Sequence, residues 1–186
     1  MKSLAENLTQ YAAYHRDRRN IATHFAGIPM IVFAIVLAAA TVHIPAGPLT
    51  LSGAALLSIA VSIYYFRLDL AFGLAMALAL FAMCAVASEA THRLGTGVSL
   101  GVAATVFTLG WALQFLGHRF EGMKPAFYDD ARQLLIGPLF VCAEAGFMLG
   151  AREPLRRYIE ERVGPTLARR DGRPVSGAPA GEGPAR

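Results

Sequence analysis

The chain of 186 residues has the length of one domain; it is 55% hydrophobic and only 16% charged, where soluble domains carry about a quarter. Its net charge of +4 sits in loops and tails between apolar segments and is not interleaved with aromatics, which argues against nucleic acid as a partner and for a lipid bilayer as solvent. Cys84 and Cys142 both lie inside apolar stretches, so there is no disulfide framework or CxxC metal motif.

Residues 1–20 are polar and charged, without the apolar core of a signal peptide. Ser3 and Glu6 have capping-box spacing and predict a short helix with Leu4, Leu8 and Tyr11 on one side. The charged run from His15 to Asn20 interrupts that pattern. Apolar segments follow at 21–42, 49–66, 68–87 and 98–116, each close to the roughly 20 residues that a bilayer crossing needs. A turn-rich link separates the first two at 43–48, Arg67 alone separates the next two, and a polar stretch at 88–97 precedes the fourth. A shorter fifth segment, 134–149, contains Gly137, Pro138 and Glu144. From Arg152 the chain turns basic, and 169–186 is rich in Gly, Pro, Ala and Arg, the composition of a disordered tail.

The expected fold is therefore all-α: a polytopic transmembrane helical bundle with four spans and a short fifth membrane-associated helix. The expected division is a membrane-embedded domain with an N-terminal amphipathic helix over 1–151 and a basic tail over 152–186. Lys2, Arg16, Arg18 and Arg19 precede the first segment, Arg67 follows the second, and Arg119, Lys124 and Arg132 follow the fourth. Four crossings put all these clusters on one face, which the positive-inside rule makes cytoplasmic, with both termini there.

This topology brings the start of the first span and the end of the fourth to one depth. Asn20 and His24 are four apart, as are Gln114 and His118, while His118 and Glu121 are three apart, so each pair shares a helix face. His15 and His24 are nine apart, on opposite sides of a continuous helix. Both can face one centre only if the helix breaks between them, for which 16–19 is the place. Three imidazoles and a carboxylate there can bind a first-row metal, or act as interfacial groups that hydrogen-bond headgroups and cap helices. His43 and His92 fall on the other face. Asp69 can cap a helix or pair with Arg67. Glu144 is costly inside a bilayer unless paired, which makes it a functional candidate.

Tyr14, His15, Asn20, His24, Gly27, Ile28 and Pro29 form the pattern Tyr-His-x4-Asn-x3-His-x2-Gly-Ile-Pro. This block resembles the opening signature of the 2-hydroxy fatty acid dioxygenase family, a membrane-bound, iron-dependent group of fatty acid α-oxidation. The stretch from Gln114 to Asp129, followed by Leu134 to Phe140, resembles its second signature. The two blocks bracket the apolar segments, so the likeness covers about residues 5–150. The resemblance implies an Fe(II) enzyme that uses O2 to shorten a 2-hydroxy fatty acid to an aldehyde or acid lacking one carbon. It implies His15, His24 and His118 as metal ligands, with Glu121 at the acidic position after the last. Asn20 and Gln114 would orient the imidazoles, and Lys124 or Arg119 would offset the substrate carboxylate. The contrasting reading is a non-catalytic lipid-binding or transport scaffold; a zinc hydrolase is a third.

Overall fold

The computed structural model describes residues 2–46, 48–128 and 130–167. The elements in chain order are helices α1 (Leu4–Ala12) and α2 (Arg18–Ala40), strands β1 (His43–Ala46) and β2 (Leu49–Ser52), and helices α3 (Gly53–Leu68), α4 (Leu70–Glu121), α5 (Gln133–Met148) and α6 (Glu153–Val163). A single 3-10 turn, Ala126–Tyr128, lies between α4 and α5. The fold class is all-α, as expected, apart from the small antiparallel ribbon of β1 and β2. Its register pairs His43 with Ser52 and Ala46 with Leu49, so the second apolar segment enters its helix at Gly53 rather than Leu49.

The Ser3 capping box forms: Ser3 Oγ accepts from Glu6 N–H, and Glu6 accepts from Ser3 N–H. The helix break between His15 and His24 is present. The α1 helix ends at Ala12 and α2 starts at Arg18, where Asp17 caps it by accepting from Arg19 N–H at 2.8 Å. Pro29 sits inside α2 without ending it.

The α4 helix is 52 residues long but is not one rod. Gly95 has φ +78° and ψ 164°, a left-handed backbone conformation that glycine adopts without steric cost. It divides α4 into arms 70–94 and 96–121. The second arm lies antiparallel along α2: Gly117 faces Asn20, Thr23 and His24, and Gly110 faces Gly27 and Ile31. At the far end Ala103 clusters with Val36, Leu37 and Ala40, and Cys84 and Ala87 from the first arm join the same cluster. The chain thus folds back at Gly95. The polar stretch expected as a loop at 88–97 is helical on either side of that break, held by an Arg93–Glu89 ion pair one turn apart.

Among the described residues, only α2 and α4 qualify as membrane spans by length and apolarity, or three spans if the bent pair α5 and α6 makes one. The expected count of four full spans is not what these helices give singly. At 16 residues, α3 rises only about 24 Å, short of a hydrocarbon core of about 30 Å. The two arms of α4 count as one helix by length and apolarity, although the chain turns between them at Gly95. Leu74, Leu78, Val86 and Leu109 project from α4 and are more than half exposed. Such a surface would aggregate in water but is solvated by lipid.

The α2–α4 contact depends on two glycines. A Cβ on Gly110 would lie 2.7 Å from Ile31 Cγ1 and 2.9 Å from Gly27 O. Small residues let helix backbones approach this closely. Gly110→Ala is expected to destabilise the protein by about 1–3 kcal/mol through overpacking; the thermal midpoint in detergent checks it.

The stretch after Arg152, expected as a basic tail, contains a further helix. The α6 helix occupies Glu153–Val163 and buries Ile159 to 3% exposure against the main core, which also takes Leu8, Tyr11, Tyr65, Phe72 and Phe140. Beyond it the chain pairs with the α1–α2 link: Leu167 N–H donates to Arg16 O at 2.8 Å, and Arg18 N–H donates to Leu167 O at 3.0 Å. Residues 168–186 lie outside the described residues.

Candidate metal centre

Three histidines from three places in the chain meet in the interior. His15 comes from the α1–α2 link, His24 from the second turn of α2 and His118 from the last turn of α4. One ligand atom from each lies within 4.8 Å of the others, and all three residues are buried, His15 completely. Their ring centroids are 4.6, 4.9 and 5.1 Å apart. His43 and His92 are exposed and lie outside this cluster.

Hydrogen bonds fix how two of the rings face. His15 Nδ1 lies 2.7 Å from Tyr11 O, and His24 Nδ1 lies 2.9 Å from Asn20 O. A carbonyl only accepts, so both Nδ1 atoms carry the proton and both Nε2 atoms are bare. Those two Nε2 atoms are 3.1 Å apart. Two neutral imidazoles in these tautomers cannot bond to each other, and their lone pairs repel unless a cation lies between them. Burial pushes the His15 imidazole well below its ordinary pKa, and the neighbouring His24 adds to this, so the ring stays an unprotonated ligand. His118 Nδ1 has no hydrogen-bond partner among the described residues.

Metal–nitrogen bonds of about 2.0–2.1 Å put adjacent ligand atoms roughly 3 Å apart, which the His15–His24 separation meets. Carbonyl acceptors on the far ring nitrogens are the usual outer partners of metal-bound histidine. The residues present therefore fit a divalent first-row metal.

Glu121, expected beside the histidines as a ligand, engages the surrounding wall through one carboxylate oxygen. Its Oε2 accepts from Arg16 N–H at 3.1 Å, Asp17 N–H at 2.8 Å and Asn20 Nδ2 at 3.0 Å. It is 3% exposed, and this oxygen ties the His15 link to α2. Asn20 is the joint of this wall. Its side chain donates to Glu121 and to Tyr14 O, while its carbonyl orients His24. Tyr11 stacks flat on His15 at 4.1 Å.

A cavity of about 420 Å³ runs from His24 and His118 into the bundle. Ile28, Val32, Leu57, Val61, Met76 and Leu80 give it an apolar wall, and Trp111 and Phe127, in edge contact at 5.3 Å, lie over one side. Gln114 and Gln133 also line it. Gln114 makes no hydrogen bond to an imidazole: its Nε2 has no partner among the described residues. Arg119, in the last turn of α4, and Lys124, beyond its end, are exposed and do not line this cavity. Gln133 was not expected from sequence; a polar residue opening an apolar segment looks there like any helix start.

The two acids that needed partners have them. Glu144 lies 3.8 Å from Arg16 Nη2. Asp69 caps α4 by accepting from Phe72 N–H and pairs with Arg152 at 2.7 and 2.8 Å rather than with Arg67.

No solved structure matches this chain. A family model described as 2-hydroxy-palmitic acid dioxygenase Mpo1-like matches residues 1–149. The chain is also similar to the 2-hydroxy-palmitic acid dioxygenase MPO1 of Saccharomyces cerevisiae, at 31% identity over 159 residues, covering 84% of this chain and 87% of the yeast protein. All three clustered histidines, the wall that holds them and the cavity beside them lie within the matched region, and the chain belongs to the Mpo1-like family.

Proposed function

We propose that this protein is an Fe(II)-dependent dioxygenase that shortens 2-hydroxy fatty acids by one carbon. The observation that carries the proposal is the trio of buried imidazoles, two of them locked with bare Nε2 atoms converging at 3.1 Å, at the head of an apolar cavity of acyl-chain character. Imidazole ligands suit iron among other metals; the family and the yeast relative are named dioxygenases, and O2 chemistry favours a redox-active metal such as iron over zinc.

His15, His24 and His118 would hold the metal, which when bound would supply O2 activation. The reaction balances without an external reductant. The C1–C2 bond of the 2-hydroxy acid breaks, C2 becomes the carboxyl of the shorter acid and C1 leaves as CO2. One O2 takes the four electrons and is recovered in the new carboxyl and one water. The protein's part is to hold the ligand set rigid, to bind the acyl chain along Ile28, Val32, Val61 and Leu80, and to exclude water from the reacting end.

The bundle is read as crossing the membrane four times, through α2, α3 and the two arms of α4. The fold-back at Gly95 and the charges on one face support this. Both termini and the histidines then lie at the cytoplasmic side, where a fatty acid reaches the site from the leaflet.

Anaerobic purification followed by elemental analysis and O2 uptake with 2-hydroxy-palmitic acid tests this. Near-stoichiometric iron and equimolar O2 and substrate consumption are expected. Chelation should abolish turnover and lower the thermal midpoint, since a ligand that binds only the folded state stabilises it by about 2.7 kcal/mol at a hundredfold excess over Kd. Zinc with hydrolysis would replace the redox reading. No metal after Fe(II) loading would leave a lipid-binding scaffold.

A further inference from the structure

The cavity wall contains two amides that the protein itself does not satisfy. Gln133, at the start of α5, is 2% exposed, and neither its Nε2 nor its Oε1 has a hydrogen-bond partner among the described residues. Gln114, on α4 one turn from His118, is 5% exposed, and its Nε2 also has no partner there. Both line the one cavity that His24 and His118 head. They come from different helices, so one local irregularity does not account for both.

Leaving a buried polar group without a partner costs its full desolvation, and natural proteins keep few of them. Leucine or methionine would fill either position among these apolar neighbours without that cost. The glutamines therefore indicate a ligand that carries hydrogen-bonding groups into an otherwise oily space.

The chemistry of the amide narrows that ligand. A primary amide presents an acceptor and a donor side by side. A 2-hydroxy carboxylate offers the complementary pair: its hydroxyl donates to Oε1, and a carboxylate oxygen accepts from Nε2. An unsubstituted fatty carboxylate has no O–H donor and would leave Oε1 bare against the apolar wall. Discrimination of this kind is strong, because the penalty falls on the complex with the wrong ligand. We propose that Gln133, assisted by Gln114 Nε2, reads the 2-hydroxy acid head and selects the 2-hydroxylated acyl chain over the plain one. This rests on the substrate class proposed above. It assigns selectivity to residues distinct from the histidines and from the exposed Arg119 and Lys124.

The chain has one tryptophan, Trp111, and it lines this cavity, so its fluorescence reports occupancy without turnover. The full-length protein, loaded with Fe(II) under argon in lipid nanodiscs, is titrated with 2-hydroxy-palmitic acid and with palmitic acid. Wild type should prefer the hydroxylated acid by at least about tenfold, the equivalent of one well-made hydrogen bond. Gln133→Leu and the closer-sized Gln133→Met should bring that ratio to within about threefold, at unchanged iron content and with a thermal midpoint at or above that of wild type. Either folded variant retaining the wild-type ratio, or a wild type with no preference, overturns the inference. The dioxygenase reading fails separately: absence of O2 uptake with a Gln133-dependent preference intact sinks that reading and leaves this one standing.

Discussion

Alanine at His15, His24 or His118 is expected to remove the metal and bring turnover to background. Each variant deletes one of only three nitrogens in the cluster, and the buried site has no spare imidazole, because His43 and His92 are exposed elsewhere. Loss of an outer partner typically weakens a metal site 10–100-fold, so loss of a ligand should exceed about 100-fold. Elemental analysis after dialysis against a weak chelator measures it. The three variants should behave alike although their ligands come from a link, an early helix turn and a late one. Full iron content in any of them would remove that histidine from the ligand set. His24→Ala carries a second reading, since its Nδ1 also ties to Asn20 O. His43→Ala is the control and should keep wild-type iron.

Much of this site was legible because helix geometry converts spacing into direction. Asn20 with His24, and Gln114 with His118, had to share faces, and His15 could join His24 only across a break. The break falls where charge replaces the apolar pattern, with Asp17 as the cap. The Ser3 cap was legible for the same local reason. The reversal between the third and fourth apolar segments was legible from the polar stretch at 88–97, but its confinement to the single residue Gly95 was not, because the arms on both sides are helical and a single glycine inside a helical pattern is commonly tolerated. The ribbon of β1 and β2 is four residues a side with a proline in it, too short for alternation to register. Pairing of Leu167 with the His15 link could not be anticipated, since it uses only backbone groups that every residue has. The partners of Glu121 were hidden likewise: spacing gives the face on which a carboxylate stands, not which N–H groups it will meet. Gln133 became informative only when the cavity and its two unsatisfied amide atoms were visible together.

Glu121 offers the sharpest separation between ligand and support. Its Oε2 holds the N–H groups of Arg16 and Asp17 and the amide of Asn20. These three donors anchor the link that carries His15 to the helix that carries His24. Glu121→Ala removes a buried charged acceptor from all three, and destabilisation on the order of 3–5 kcal/mol is expected, since hydrogen bonds to charged groups are worth about 1.5–3 kcal/mol each and do not add fully. Such a variant can lose metal merely by unfolding. Glu121→Gln is the discriminating change, because its Oε1 can still accept, at about half the strength of a charge-assisted bond. If Glu121 positions the link, Glu121→Gln should stay folded and still bind one iron, with affinity 10–100-fold weaker. Its KM should be near wild type, and the loss should fall in kcat at limiting iron and be recovered by excess Fe(II). If instead the carboxylate is itself a ligand, Glu121→Gln should lose iron as completely as the histidine variants, and added Fe(II) should not restore turnover. Recovery by excess iron is thus the readout, because a residue that only stabilised the fold would change the thermal midpoint without changing the iron dependence of kcat.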